Sequence, residues 1–239
     1  MKCAKVIVFY FGTRRAASNN IQIVELLPRI IENENIDVGV DTDTFFVVNK
    51  CGDDSDNLLD EFDGKLTTNG KIRVVKRDNV GLSFGGYIDT FNTYKSEYDY
   101  WMFLEDDVIV YKEGYIKDFI DELESTKATF IALAPISTLI KPHCGGGCGL
   151  TSTKYMEEIY TSEFVKSKLE YWSGYSSYDV CSGALKEKNA EIDFSSYFKL
   201  SNHHKFSPFC VNHNRHSSQK KHTNSNNQTL ELIYTVGKL

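Results

Sequence analysis

Tyr98-Asp99-Tyr100-Trp101-Met102-Phe103-Leu104-Glu105-Asp106-Asp107 is the stretch from which the rest of the chain can be placed. Trp101 to Leu104 is a short apolar run bounded by charge, the pattern of a central strand buried on both faces. Three carboxylates follow without a break, where such a strand leaves its sheet. Open α/β sheets bind ligands outside the carboxyl ends of their strands, so these acids are expected to face a crevice. Adjacent carboxylates repel one another, and coordination of a hard cation offsets that repulsion. The alternative is a solvated acidic loop capping a strand. The apolar strand before the triplet favours a metal site.

A chain of 239 residues is long enough to bury a substantial core as one α/β domain. The composition, 41% hydrophobic and 25% charged, is that of an ordinary globular protein, and the net charge of −6 argues against general nucleic-acid binding. No apolar run approaches the roughly 20 residues of a transmembrane helix. Strand pattern begins almost at once (Val6 to Phe11), which leaves no room for a signal peptide and predicts a cytoplasmic protein. The cysteines at 3, 51, 144, 148, 181 and 210 are scattered, as expected of reduced thiols. His143-Cys144 and Cys148 could seed a zinc site with Cys210 or a tail histidine, but the spacing is loose and no second Cys pair follows.

Working outward, Lys5 to Phe11 reads as a buried strand and Gly12-Thr13-Arg14-Arg15 as the loop after it. Ser18 is placed to cap a helix running to about Asn33, with Ile21, Val24, Leu27 and Ile31 on one face and a kink expected at Pro28. Thr44 to Val48 is a second strand, Leu58 to Phe62 a short amphipathic piece and Ile72 to Val75 a third strand. Lys76 to Tyr87 is expected to form a glycine-bearing loop turning into a helix that ends near Tyr94, with its N-terminal amides aimed into the crevice. Glu113 to Glu124 is a regular amphipathic helix, and Thr129 to Ala134 a strand stopped by Pro135. Alternating strands and helices at this spacing predict a mostly parallel sheet with right-handed crossovers.

The second half is less regular. Thr153 to Lys168 predicts a helix, and Tyr171 to Tyr178 is an aromatic, small-residue segment of a kind that stacks on sugar rings as well as packing in cores. Asp179 opens a helix to about Lys188, and Glu191 to Phe198 reads as a strand. From Phe194 to Leu230 no acidic residue occurs, and His203, His204, His213, His216 and His222 fall in that stretch. It is either a solvated basic tail or a flap that closes over a phosphate-bearing ligand. The predicted organisation is one domain over 1–200 and a basic, His-rich segment over 201–239 that packs on or closes over the site.

The order of these parts resembles the GT-A glycosyltransferases, above all the inverting, family 2-like enzymes that use nucleotide sugars. The resemblance rests on Val47-Val48-Asn49 ending the second strand, Arg77-x-Asn79-x-Gly81 after the third and Leu104-Glu105-Asp106-Asp107 closing the fourth. Glu105-Asp106-Asp107 stands as a Glu-x-Asp variant of the family's Asp-x-Asp motif. The run Asn79 to Tyr87 is similar to the branch with rhamnosyltransferase-like and viral members.

That resemblance implies a GT-A (Rossmann-like) fold. It further implies transfer of a sugar from a nucleotide-diphosphate sugar, a UDP-sugar by preference, to a hydroxyl of a glycan or glycoconjugate acceptor. Asp107 would bind Mn²⁺ or Mg²⁺, with His213 or His216 completing the shell. Glu105 would assist the metal or contact the ribose, with Asp106 beside it. Phe11, Arg14, Asn49 and Arg77 fall at positions that hold the nucleotide sugar. Asp179, in Tyr178-Asp179-Val180, would be the catalytic base, unless it serves only as a helix N-cap. Two other readings compete: a sugar-nucleotidyltransferase, which would need a more glycine-rich loop than Phe11 to Arg15, and a non-catalytic nucleotide- or glycan-binding module.

Overall fold

The computed structural model describes residues 1–9, 27–50, 52, 54–106, 108–110, 112–133, 144, 147–160, 193–202, 220–223 and 229–232. Its centre is a seven-stranded sheet in the order β3-β2-β1-β4-β6-β5-β7. The strands are β1 (Lys2–Phe9), β2 (Asp41–Lys50), β3 (Ile72–Asp78), β4 (Tyr100–Glu105), β5 (Phe130–Ala132), β6 (Gly149–Ser152) and β7 (Leu200–Asn202). β1 pairs in parallel with β2 and β4, β2 with β3, and β5 with β7, whereas β6 runs antiparallel to both β4 and β5. The expected α/β class and mostly parallel sheet are therefore present. A separate antiparallel pair joins β8 (Lys220–Thr223) to β9 (Thr229–Leu232).

Alternation along the central strands sorts side chains onto two buried faces. Cys3, Ile7 and Phe9 of β1 and Met102 and Leu104 of β4 pack with helices α1 (Leu27–Asn33) and α3 (Tyr115–Ser125). Ala4, Val6 and Val8, with Trp101 and Phe103, pack on the other face with α2 (Leu82–Tyr94) and with Met156 of α4 (Thr153–Ile159). On α3, Tyr115, Ile116, Phe119, Ile120 and Leu123 form the buried stripe that the sequence pattern predicts. Replacing a side chain as enclosed as Trp101 with alanine typically costs ~3–5 kcal/mol.

Several expected boundaries shift. The part of the expected Ser18 to Asn33 helix that precedes Leu27, and with it the kink expected at Pro28, lies outside the described residues. β2 is longer than Thr44 to Val48 at both ends. The short amphipathic piece at Leu58 to Phe62 buries Leu59 and leaves Leu58 exposed, with 3₁₀ turns over Asp54–Asn57 and Asp60–Phe62. β3 continues through Lys76, Arg77 and Asp78, which were expected in the following loop. The helix from Thr153 stops at Ile159, because Tyr160 leaves helical geometry at φ −99°, ψ 75°. Residues 193–195 are helical where a strand was expected over Glu191 to Phe198.

The sheet's most unusual occupant is Lys5, midway along β1 and 1% exposed. Its Nζ lies 2.6 Å from Glu34 Oε2, and Thr44 Oγ1 of β2 donates to the same oxygen at 2.5 Å. The chain just past α1, the central strand and its neighbour are thus tied at one point. At the amino-terminal edge, Asp43 accepts hydrogen bonds from Tyr98 Oη (2.7 Å), Lys2 Nζ (3.0 Å) and the Lys71 amide (3.0 Å). Burial works to raise the Asp43 pKa, but these donors win and hold it below the usual carboxylate value.

Glu34→Ala strands the Lys5 ammonium in the core, and urea denaturation should show a loss of ~3–5 kcal/mol. The paired change Lys5→Met with Glu34→Leu should recover most of it; an equal loss in both variants would refute this account. A depressed folded-state pKa at Asp43 contributes stability above the unfolded-state pKa, lost as pH falls through the folded value. Asp43→Asn should therefore flatten the acid limb of the stability–pH curve below about pH 4, the ordinary Asp range.

Candidate active-site crevice

The strand order reverses direction at β1, with β2 and β3 to one side and β4 to the other. The crevice at such a switch point, beyond the carboxyl ends of the strands, is where open α/β sheets bind ligands. Phe9, Asn49, Arg77 and Glu105 stand at or near those ends. Register aligns them: Asn49 pairs with Arg77 across β2 and β3, and Val8 with Glu105 across β1 and β4. Asn49 follows Val47, Arg77 follows Val75 and Glu105 follows Phe103 by two residues. All three strand positions therefore belong to the face covered by α2.

Arg77 is held on every side. Its Nε donates to Asp89 Oδ2 at 2.7 Å, Nη1 to Asn49 Oδ1 at 2.6 Å and Nη2 to the Val80 carbonyl at 2.7 Å. Nη2 also lies 2.7 Å from Asp89 Oδ2, and the side chain is only 10% exposed. Asn49 Nδ2 in turn donates to the Leu82 carbonyl at 3.1 Å. Arg77 and Asn49 thus meet as expected, but they spend these donors on shaping the loop from β3 into α2.

That loop is strained. Gly81 has φ +81°, and Leu82 follows at φ +55°, a left-handed conformation costing a non-glycine residue ~1–2 kcal/mol. The turn lets the Val80 carbonyl fold over Gly85, where a Cβ would lie 1.9 Å from that oxygen. Gly86 has a similar role one residue on: a Cβ there would meet Val8 Cγ2 at 2.7 Å, so its absence lets α2 lie close against β1. Asn79 Oδ1 is buried in this loop with no hydrogen-bond partner.

Across the crevice, Ser83 Oγ in the first turn of α2 donates to Glu105 Oε1 at 3.3 Å. Asp106, the next residue, is 1% exposed. Tyr87 stacks on Phe103 with ring centroids 4.7 Å apart. Its hydroxyl pKa is raised well above the usual phenol value, first by burial and then by Cys148, Glu105 and Cys144 nearby, so it stays protonated. Cys144 and Cys148 are buried, and Phe194 packs on Phe84 and Phe103. Sequence reasoning missed Asp89, Ser83 and Tyr87. Asp89 has a visible cue, since a half-buried arginine at a strand end needs a carboxylate and α2 carries one.

Phe11, Arg14, Asp107, Asp179, His213 and His216 lie outside the described residues. Among the described residues no three His, Cys, Asp or Glu side chains come together as a metal-holding group. Glu105 and Asp106 supply two carboxylates, donors of the hard-oxygen type that Mn²⁺ or Mg²⁺ takes, so the donor chemistry fits while the shell needs further ligands. No helix among the described residues is long and apolar enough to cross a membrane.

No family model and no curated protein matches this chain. Solved structures do. TarS 1-349 of S. aureus in complex with UDP-GlcNAc is 14% identical, with TM-score 0.46, over 84% of this chain and 56% of that one. The glycosyltransferase GlyE of Streptococcus pneumoniae TIGR4 is 15% identical, with TM-score 0.46, over 84% and 45%. HddC of Yersinia pseudotuberculosis is 17% identical, with TM-score 0.43, over 65% and 79%. The chain spans about half the length of the TarS and GlyE chains it matches.

Gly85→Ala should force the Val80 carbonyl away from Arg77 and lower stability by ~1–3 kcal/mol in chemical denaturation. Parent-like stability would mean the loop rearranges freely.

Proposed function

We propose that the chain is a metal-dependent, inverting glycosyltransferase that moves a sugar from a UDP-sugar to a hydroxyl of a glycan or glycoconjugate. The observation that carries this reading is the pair Glu105–Asp106 at the carboxyl end of β4, beside β1 where the strand order reverses. Carboxylates at that position offer oxygen ligands of the kind a divalent cation accompanying a diphosphate would take. The likeness of Arg77-x-Asn79-x-Gly81 and Leu104-Glu105-Asp106-Asp107 to GT-A enzymes supports the choice of donor class.

In this scheme Asp107, with Glu105 or Asp106 and a histidine from His213 or His216, holds Mn²⁺ or Mg²⁺. When bound, the ion neutralises charge on the leaving nucleoside diphosphate. Phe11 and Arg14, from the segment after β1, border the nucleotide. Asn49 and Arg77 act at one remove, fixing the Val80–Leu82 backbone that closes the crevice on the β3 side. Ser83 holds the Glu105 carboxylate toward the first turn of α2. Asp179 takes the proton from the acceptor hydroxyl as it attacks the anomeric carbon from the face opposite the leaving group, inverting that centre.

Thermal unfolding with nucleoside diphosphates, with and without Mn²⁺, tests the donor half. UDP should raise the melting temperature only with Mn²⁺, and Asp107→Ala should abolish the shift. No shift with any nucleoside diphosphate would overturn the reading. Asp179→Asn should retain that shift and lower transfer by about 10²–10⁴-fold.

A further inference from the structure

The opposite end of the sheet, where β4 begins and β6 ends, carries a second cavity of about 550 Å³. That volume lies inside the ~300–1,000 Å³ range of small-ligand sites. Tyr100 and Tyr155 supply aromatic surface, and Asp99, Glu124 and Glu157 line it together with Lys95 and Lys154. Its wall is fixed in advance. Thr153 Oγ1 donates to the Tyr98 carbonyl at 2.5 Å and accepts from Trp101 Nε1 at 2.9 Å, while the Thr153 amide donates to the Asp99 carbonyl at 2.8 Å. A pre-ordered wall lowers the entropy lost on binding.

The remaining polar groups are arranged for a ligand that both donates and accepts. Glu124 takes one hydrogen bond from Tyr100 Oη at 2.8 Å and keeps lone pairs for others. Glu157 and Lys95 approach only to 3.7 Å and are 52% and 40% exposed, an ion pair loose enough to open. Lys154 Nζ lies 5.9 Å from the Tyr155 ring centroid, leaving its protons free for an acceptor. With both signs of charge nearly balanced around the cavity, an ionic ligand gains little from one set that it does not lose to the other. A neutral polyol meets no such penalty, and the tyrosine rings suit the C–H face of a sugar.

We propose that this cavity binds a segment of neutral oligosaccharide, at the end of the sheet remote from the nucleotide crevice. It would hold the acceptor glycan, or the lengthened product, by a second point. Naming the polyol as a glycan rests on the transferase reading; the neutral, hydroxyl-rich character of the ligand rests on the cavity alone.

The test is titration calorimetry of the full chain against maltohexaose, cellohexaose and chitohexaose, with pentalysine and a sulfated hexasaccharide as charged probes. Each variant is also titrated with UDP and Mn²⁺. The expected result is binding of at least one neutral hexasaccharide, weakened tenfold or more by Tyr155→Ala and by the surface double change Lys154→Ala with Glu157→Gln. UDP binding should be unaltered in both variants. Sugar binding that neither variant weakens overturns the proposal, as does binding of charged probes alone or of no probe at millimolar concentration. A parent chain that takes the hexasaccharide but never UDP would sink the transferase reading and leave this site standing.

Discussion

The buried ion pair between Lys5 and Glu34 is the constraint around which the sheet is built. Apolar contacts tolerate sliding; a lysine in the middle of a central strand does not. A slip of β1 by one residue would carry Lys5 to the α2 face, among the neighbours of Ala4 and Val6, leaving two buried charges unmatched. Thr44 binds the same carboxylate oxygen, so β2 is held in the same register. Aligned carboxyl ends of β1, β2 and β4 follow, and with them the position of the crevice. In that respect Glu34 acts on the site from the opposite face of the sheet.

The two faces have different tasks. Among the described residues, the side under α1 and α3 is a hydrophobic layer that also encloses that ion pair, Thr44 and the amide of Asn33. The side under α2 carries the strained Gly81–Leu82 turn, the Arg77 clamp with Asp89 and Asn49, and the buried Tyr87 beside Glu105. Strain of this kind persists where surrounding bonds over-determine it, and here four hydrogen bonds around Arg77 and Asn49 do so. The loop is thereby made rigid before any ligand arrives.

Much of this was legible in the chain itself. β1, β2 and β4 announce themselves as apolar runs, α2 ends at Tyr94 as read, and the α3 stripe follows its helical period. Arg77 was misplaced into a loop because Lys76-Arg77-Asp78 carries no apolar signal. β3 is an edge strand, so its charged residues need not be buried to be extended. β6 escaped because Gly149-Leu150-Thr151-Ser152 is four residues long, too short for alternation to register, and its reversed direction follows from pairing alone. Within the site, Glu105 was singled out by its place at a strand end, and Asn49 and Arg77 by their likeness to GT-A positions. Ser83 and Asp89 were not, because a helix position gains meaning only once the strand beneath it is known.

The place of β1 at the centre of the sheet also sets an order of events during synthesis. Its partner β4 lies 97 residues further along the chain. At about 5–20 residues per second, β4 is made roughly 5–20 s after β1. Through that interval Val6 to Phe9 present an apolar strand with one edge unpaired, the kind of surface that other chains adhere to. Early pairing with β2, reinforced by Thr44 and Glu34, covers the other edge. This protein therefore matures around a half-built sheet, and its yield in a cell depends on what shields β1 until Trp101 to Leu104 arrive.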